Sequence, residues 1–174
     1  MTVELREARR GDELAVAEVH VRSWQEAYRG LMPDSYLDSL DPRDRASRYA
    51  FEASDPAAPK TVLAIGKEDG DEVVLGFATF CPSRDEDLPG FGEIVALYVD
   101  PDRHNGGVGR LLMAEARRRL SEAGFQNAFL WVLDGNTRAA TFYEREGWLP
   151  DGSKRVERPY DIVSNVSRFR RRLP

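Results

Sequence analysis

The sequence predicts a mixed α/β (α+β) fold, and three observations carry that prediction. Runs rich in β-branched and aromatic residues bunch around the middle of the chain, at 61–66, 72–80 and 92–99. Two strand-then-helix units come later, 92–99 into 108–123 and 129–133 into a helix ending at Gly147. An amphipathic helical segment precedes them all near the N-terminus. The 174 residues read as a single domain, 1–174, long enough to bury about 70% of the unfolded chain's surface.

Taken in order, residues 2–6 (TVELR) alternate enough to form a first strand. Gly11-Asp12 offers a break and an N-cap, and Leu14, Val16, Ala17, Val19 and Val21 then place a helix to about Trp24. His20, Trp24 and Tyr28 are spaced four apart, so a helix continuing that far carries three polar-tipped rings on one face. Two readings of that face stay open: rings capping the core with their tips in water, or rings lining an acceptor pocket. Pro33 opens a short helix over 33–40, and Asp41-Pro42 opens another over 43–52. The Glu68-Asp69-Gly70-Asp71 turn joins two strands as a hairpin. Cys81-Pro82 ends the second of them, and the lone cysteine there reads as packing rather than as a nucleophile.

Residues 83–92 (SRDEDLPGFG) form a polar loop expected to be exposed. Ile94, Val95, Leu97, Tyr98 and Val99 then make a near-continuous apolar run, as in a strand covered on both faces. Gly124 caps the long helix, and 129–133 (FLWVL) is another buried strand. Ala139, Ala140, Phe142 and Tyr143 lie on the helix that ends at Gly147. Trp148-Leu149 and a polar loop lead to a last strand over 163–169, after which Arg170, Arg171 and Arg172 read as a solvated terminus.

Composition excludes some partners. A net charge of −5 argues against nucleic acid, and no 18-residue apolar span is available to cross a membrane. MTVELREARR lacks the apolar core of a signal peptide, and the single Cys81 fits a reducing compartment. The expectation is a cytoplasmic protein that binds neither nucleic acid nor membrane.

The informative stretch is His104-Asn105-Gly106-Gly107-Val108-Gly109, set between a buried strand and a long helix. A helix N-terminus behind glycines presents unpaired N–H groups and a positive dipole end, so this is a phosphate or pyrophosphate site. The P-loop is excluded, because no Gly-Lys-[Ser/Thr] follows. The dinucleotide fingerprint started at Gly107 meets Leu112 where its third glycine belongs, and lacks a ribose-binding acid about 20 residues on, which disfavours an oxidoreductase.

A third pattern, [Gln/Arg]-x-x-Gly-x-[Gly/Ala], fits with His104 in the first position and Asn105 where glycine is common. Further on, Asn136-Thr137-Arg138-Ala139-Ala140-Thr141-Phe142-Tyr143-Glu144-Arg145-Glu146-Gly147-Trp148 matches every fixed position of Asn-x-x-Ala-x-x-Phe-Tyr-x-x-x-Gly-[Phe/Trp]. With both motifs in order around a strand, the second half of the chain resembles the GNAT N-acetyltransferase superfamily. Residues 20–40 look like the N-terminal helices of a bacterial branch of it.

The resemblance implies the GNAT acyl-CoA N-acyltransferase fold, a central mixed sheet of about seven strands splayed in the middle and flanked by helices. It also implies transfer of acetyl from acetyl-coenzyme A, a cosubstrate, to a primary amine in a ternary complex, with no metal. Pantetheine would lie between the strands at 93–99 and 129–133, along Leu97, Tyr98 and Val99, with an N–H near Leu97 polarising the thioester carbonyl. The pyrophosphate would rest on the backbone from Asn105 through Gly106, Gly107, Val108 and Gly109 to Arg110, with Arg110 as a counter-charge and His104 as a side-chain contact. Asn136, Ala139 and Phe142 match positions along the cofactor arm. Tyr143 matches the general acid, and Glu93, eleven residues before His104 (104 − 93), matches a glutamate used as base in one branch. Trp24 and Tyr28 are candidates for the acceptor side.

Two alternatives stand beside this: a non-catalytic acyl-CoA sensor or interaction module, and transfer of a longer acyl group, which Phe129 or Trp131 could restrict. The acceptor is expected to be a small-molecule or peptide amine, with Glu26, Asp34 and Asp38 leaning towards a cationic one, and family members are often homodimers.

Overall fold

The structure, a computed structural model, describes residues 2–174. Seven strands form one mixed sheet in the order β1-β2-β3-β4-β5-β7-β6. They are β1 Glu4–Glu7, β2 Lys60–Glu68, β3 Asp71–Pro82, β4 Gly92–Val99, β5 Asn127–Leu133, β6 Leu149–Glu157 and β7 Ser164–Arg172. The helices are α1 Glu13–Ala27, α2 Asp34–Ser39, α3 Pro42–Ala46, α4 Val108–Glu122 and α5 Thr137–Arg145. Every neighbouring pair is antiparallel except β4 and β5, which run parallel.

Helical spacing decides which residues cover the sheet. In α4, Val108, Leu112, Met113, Ala116 and Leu120 are all buried, one stripe laid against Val62, Ala64 and Ala78. On the opposite face α1 buries Val16 and Val19 against Leu63, Ile65 and Phe77. Removing each such leucine or phenylalanine from water contributes about 1.5–3 kcal/mol. The two helices therefore clamp β2, β3 and β4 between them.

β4 is the strand with unusual geometry. It pairs with β5 only at Gly92↔Ala128 and Glu93↔Phe129, after which the two strands part. Its register on β3 passes from Phe80↔Ile94 to Thr79↔Ala96, leaving Val95 as an extra residue. Side chains alternate along a strand, so Glu93 and Tyr98, an odd number apart, would normally face opposite ways. The bulge cancels this: Ile94, Leu97 and Val99 join the α4 side, whereas Tyr98 joins the α1 side and lines one cavity together with Glu93.

Four expectations need correction. The stretch after Leu149 is not a loop but the edge strand β6, whose exposed alternation and register shift between Pro150 and Lys154 hide it from a hydrophobic pattern. Arg170, Arg171 and Arg172 are not a solvated tail; they complete β7, pairing with Phe129, Ala128 and Asn127. The helix expected over 43–52 stops at Ala46, because Tyr49 turns inward to stack on Phe51 and bond His20. The 83–92 loop is pinned rather than free: Leu88 is buried, the Asp85 side chain is 8% exposed, and Arg168, 3% exposed, bonds both Asp85 and Asp87.

Gly76 faces β4 where the backbones come closest. A Cβ there would lie 2.7 Å from the Tyr98 carbonyl oxygen and 3.1 Å from Val99 Cα, both backbone atoms. Gly76→Ala is expected to destabilise the protein by about 1–3 kcal/mol, as overpacking does. Urea unfolding of the purified variant measures this, and an unchanged midpoint would contradict the packing described.

Candidate active site

Past Glu93 the divergence of β4 and β5 leaves β4 with a free edge. Asp100 N–H bonds Leu75 O on the β3 side at 2.8 Å, so by alternation the backbone groups of Val99 and Leu97 point the other way, into the gap. The Val99 carbonyl accepts from Ser23 Oγ of α1 at 3.0 Å. A cavity of about 560 Å³ occupies the gap, walled by Leu97, Val99, Leu130, Asn136, Phe142 and Tyr143.

At one end of this cavity lies the N-terminus of α4. Asn105 at φ 68° and Gly107 at φ 80° turn the chain sharply into it. Leu111 N–H is bonded back to Gly107 O at 3.1 Å; the N–H groups of Val108, Gly109 and Arg110 precede it, and the first turn holds no acid. That is an anion-receptive helix end. Gly109 lets Phe142 approach to within 3.5 Å of where a Cβ would sit, so α5 seats directly on the loop. Asn136 caps α5, its Oδ1 accepting from Ala139 N–H at 3.2 Å.

Around the same cavity Arg138 meets His104 Nδ1 and donates to Glu26 Oε1 at 3.1 Å, tying α1, the glycine loop and α5 together. Tyr143 lines the cavity, and desolvation, aided by the neighbouring Tyr98 phenol, holds its hydroxyl in the protonated form well above the ordinary phenol range.

A second cavity of about 200 Å³ lies on the α1 side of β4 and shares the Tyr28, Val95, Tyr98 and Trp131 walls with the first. Trp24 and Tyr28 sit edge to face at 5.1 Å and close one side. Glu93, its side chain 3% exposed, is held by Arg84: Nη2 donates to Oε1 at 2.7 Å, while Nε and the backbone N–H donate to Oε2 at 3.0 and 3.1 Å. Arg155 stacks 4.1 Å over Trp131 and bonds Asp85 and Glu157. Trp131 Nε1–H in turn donates to Asp85 Oδ2 at 3.0 Å.

A model of the Acetyltransferase (GNAT) family matches residues 21–148. The chain belongs to the GNAT acetyltransferase family. As a GNAT protein it is an acyltransferase. It is 34% identical over 142 residues to an uncharacterized N-acetyltransferase, YuaI, of Bacillus subtilis, a match spanning 82% of this chain and 78% of that one. It is 35% identical over 88 residues to a mycothiol acetyltransferase of Kocuria rhizophila, covering 50% of this chain and 29% of that protein's length. Among solved structures, the PaiA N-acetyltransferase of Thermoplasma acidophilum in complex with coenzyme A superposes with a TM-score of 0.69 at 20% identity, over 96% of this chain and 98% of that one.

Within this GNAT fold the structure brings the loop of 104–110, Leu97, Val99, Asn136, Ala139, Phe142 and Tyr143 around one gap. Tyr98 faces the α1 side and packs on His20 and Phe77. Arg110 is turned away, its side chain 77% exposed and paired with Glu146 at 3.0 Å. Trp131, not Phe129, lines the cavity. Asp34 and Asp38 pair with Arg29 on the surface, and Glu26 belongs to the larger cavity. Ser23, Arg84, Arg138 and Glu157 escaped the sequence reading; each lies in a polar segment, and only tertiary contacts mark it.

His20 forms the buried root of the ring face. Its Nδ1 is 2.7 Å from Tyr49 Oη, and burial, with Arg45 nearby, pushes its pKa down to about 3. The unfolded chain would bind a proton near pH 6.5 that the folded chain refuses until about pH 3. Stability is therefore full above pH 6.5 and is lost on acidification across that window, at about 1.4 kcal/mol per pH unit for this one group. His20→Asn should flatten the stability profile between pH 6.5 and 4, measured by denaturant unfolding at several pH values; an unaltered slope would show that His20 does not titrate on unfolding.

Proposed function

We propose that this GNAT protein transfers an acetyl group from acetyl-coenzyme A to a primary amine by direct attack in a ternary complex. The observation that carries the reading is the free β4 edge facing Tyr143 across a gap that ends at the α4 N-terminus. An extended pantetheine arm suits such an edge as an added strand would, and a pyrophosphate suits the helix end. The coenzyme A complex of the Thermoplasma relative supports the same choice of cofactor.

Acetyl-coenzyme A supplies a thioester whose carbonyl carbon becomes bonded to the amine nitrogen as the carbon–sulfur bond breaks. The Leu97 backbone N–H, on the free edge, polarises that carbonyl. Tyr143, kept protonated by burial, gives its proton to the departing sulfur and is reprotonated, through water, by the second proton that the nitrogen sheds as the amide forms. Glu93, fixed by the Arg84 backbone N–H, accepts the proton that the acceptor's ammonium must lose, directly or through water. The small cavity holds the acceptor, because it carries Glu93 and adjoins the thioester end of the gap through Val95 and Tyr98. Trp131 closes the gap beside it and favours acetyl over longer acyl groups.

Two substitutions separate this from a sensor that binds acyl-coenzyme A without turnover. Tyr143→Phe should lower kcat for thiol release by about 10²-fold or more while leaving coenzyme A affinity by calorimetry unchanged; an undiminished kcat would remove Tyr143 from the chemistry. Glu93→Gln should lower kcat for thiol release by about 10²-fold while coenzyme A affinity holds, and an undiminished kcat would exclude Glu93 as base.

A further inference from the structure

Resting on the small cavity being the acceptor's, we propose that the acceptor is a small α-amino acid with an apolar side chain, its carboxylate bound by Arg84. Charge is the first observation. Arg84, Arg155, Glu93 and Glu157 line the cavity, two cations against two anions. A purely cationic acceptor would find both carboxylates already matched by arginine, whereas a zwitterion adds no net charge to a balanced wall.

The two arginines differ in how they are held. Arg155 is fixed between Asp85 and Glu157 and lies flat on Trp131. Arg84 hydrogen-bonds Glu93, and its side chain is 57% exposed. The guanidinium gives Glu93 two of its three hydrogen bonds, but the third, from the Arg84 backbone N–H to Oε2 at 3.1 Å, is independent of it, and the surrounding protein buries the side chain. The guanidinium can therefore swing away while the carboxylate stays.

An incoming carboxylate is the group to draw it, because a guanidinium binds carboxylate oxygens in a two-pronged fork. The exchange leaves Glu93 Oε1 without its 2.7 Å partner and ready for an ammonium. In an α-amino acid the ammonium and carboxylate flank a single carbon, and Arg84 and Glu93 are neighbours across a single ion pair. One event would thus seat the acceptor's carboxylate and unmask the base beside its amine. Met32, Trp24, Trp131, Leu133 and Val166 supply an apolar floor for the side chain. The volume of about 200 Å³ falls below the roughly 300–1,000 Å³ of pockets for drug-sized ligands, which suits one amino acid.

The test is a thiol-release assay on the wild-type protein with L-leucine, L-methionine and L-phenylalanine, each beside its amide and its decarboxylated amine. The best amino acid should exceed its amine in kcat/KM by about 10- to 100-fold, the worth of a charged hydrogen-bonded pair. Arg84→Met should bring that ratio close to unity by raising KM for the acid, with Arg84→Lys keeping part of it. Calorimetric titration of the preferred amino acid into wild type and Arg84→Met, without cofactor, should show the same loss of affinity. Equal use of acid, amide and amine overturns the proposal, as does a preference that survives Arg84→Met. Thiol release with spermidine or a short peptide but none of the amino acids overturns it while leaving acetyl transfer standing. Silence with every amine, despite bound coenzyme A, would overturn both readings, and the wild-type panel decides even if the variants do not fold.

Discussion

The short parallel contact between β4 and β5 is the constraint on which the rest of the site depends. Each of these strands is fully paired on its other side, β4 with β3 and β5 with β7, so neither needs the other for its hydrogen bonds. Two registered pairs are enough to fix where the strands start together. Beyond them two rows of backbone donors and acceptors face each other across a gap too wide for direct bonding. Such groups are costly to bury without partners. Such an edge suits an extended polar partner, and the N-terminus of α4 lies at the end of the same gap.

One hydrophobic core runs through both halves of the sheet, and an ion cluster ties them together as well. Arg168 on β7 reaches Asp85 and Asp87 in the loop after β3 and Asp151 on β6. The loop so fixed supplies Arg84 to Glu93, and Asp85 to Trp131 and Arg155. Buried pairs of this kind rarely add much net stability, but losing one partner strands the others. Their worth here is positional: the small cavity has walls from α1, the loop after β3, β4, β5, β6 and β7, and this cluster ties that loop to β5, β6 and β7.

Much of the larger cavity's lining could be read from the sequence because it is local. Strand, glycine loop and helix follow one another over 92–122, and Asn136 to Trp148 place the second helix by one short motif. The small cavity could not, because its parts meet only after folding. Arg84 and Asp85 sit in a run of charges that resembles any solvated loop, and nothing local marks that Arg168 lies opposite. β6 escaped because an edge strand exposed on one face has no apolar rhythm, and it contains Pro150 and Gly152 besides. The seven-stranded sheet and its splay, implied by resemblance, are what the fold contains. Arg110 is the instructive miss: its place in the helix is as expected, but Glu146 gives its side chain a nearer partner.

The extra residue at Val95 ties these halves together in a way that side-chain chemistry does not. It puts Glu93 and Tyr98 on one face while Leu97 and Val99 keep the other. Its effect comes from the count of residues between two anchors, Gly92 on β5 and Asp100 on β3, both fixed by hydrogen bonding. In an evolving lineage this segment can therefore exchange side chains more readily than it can change length: one codon lost there would put Glu93 and Tyr98 on opposite faces in a single step.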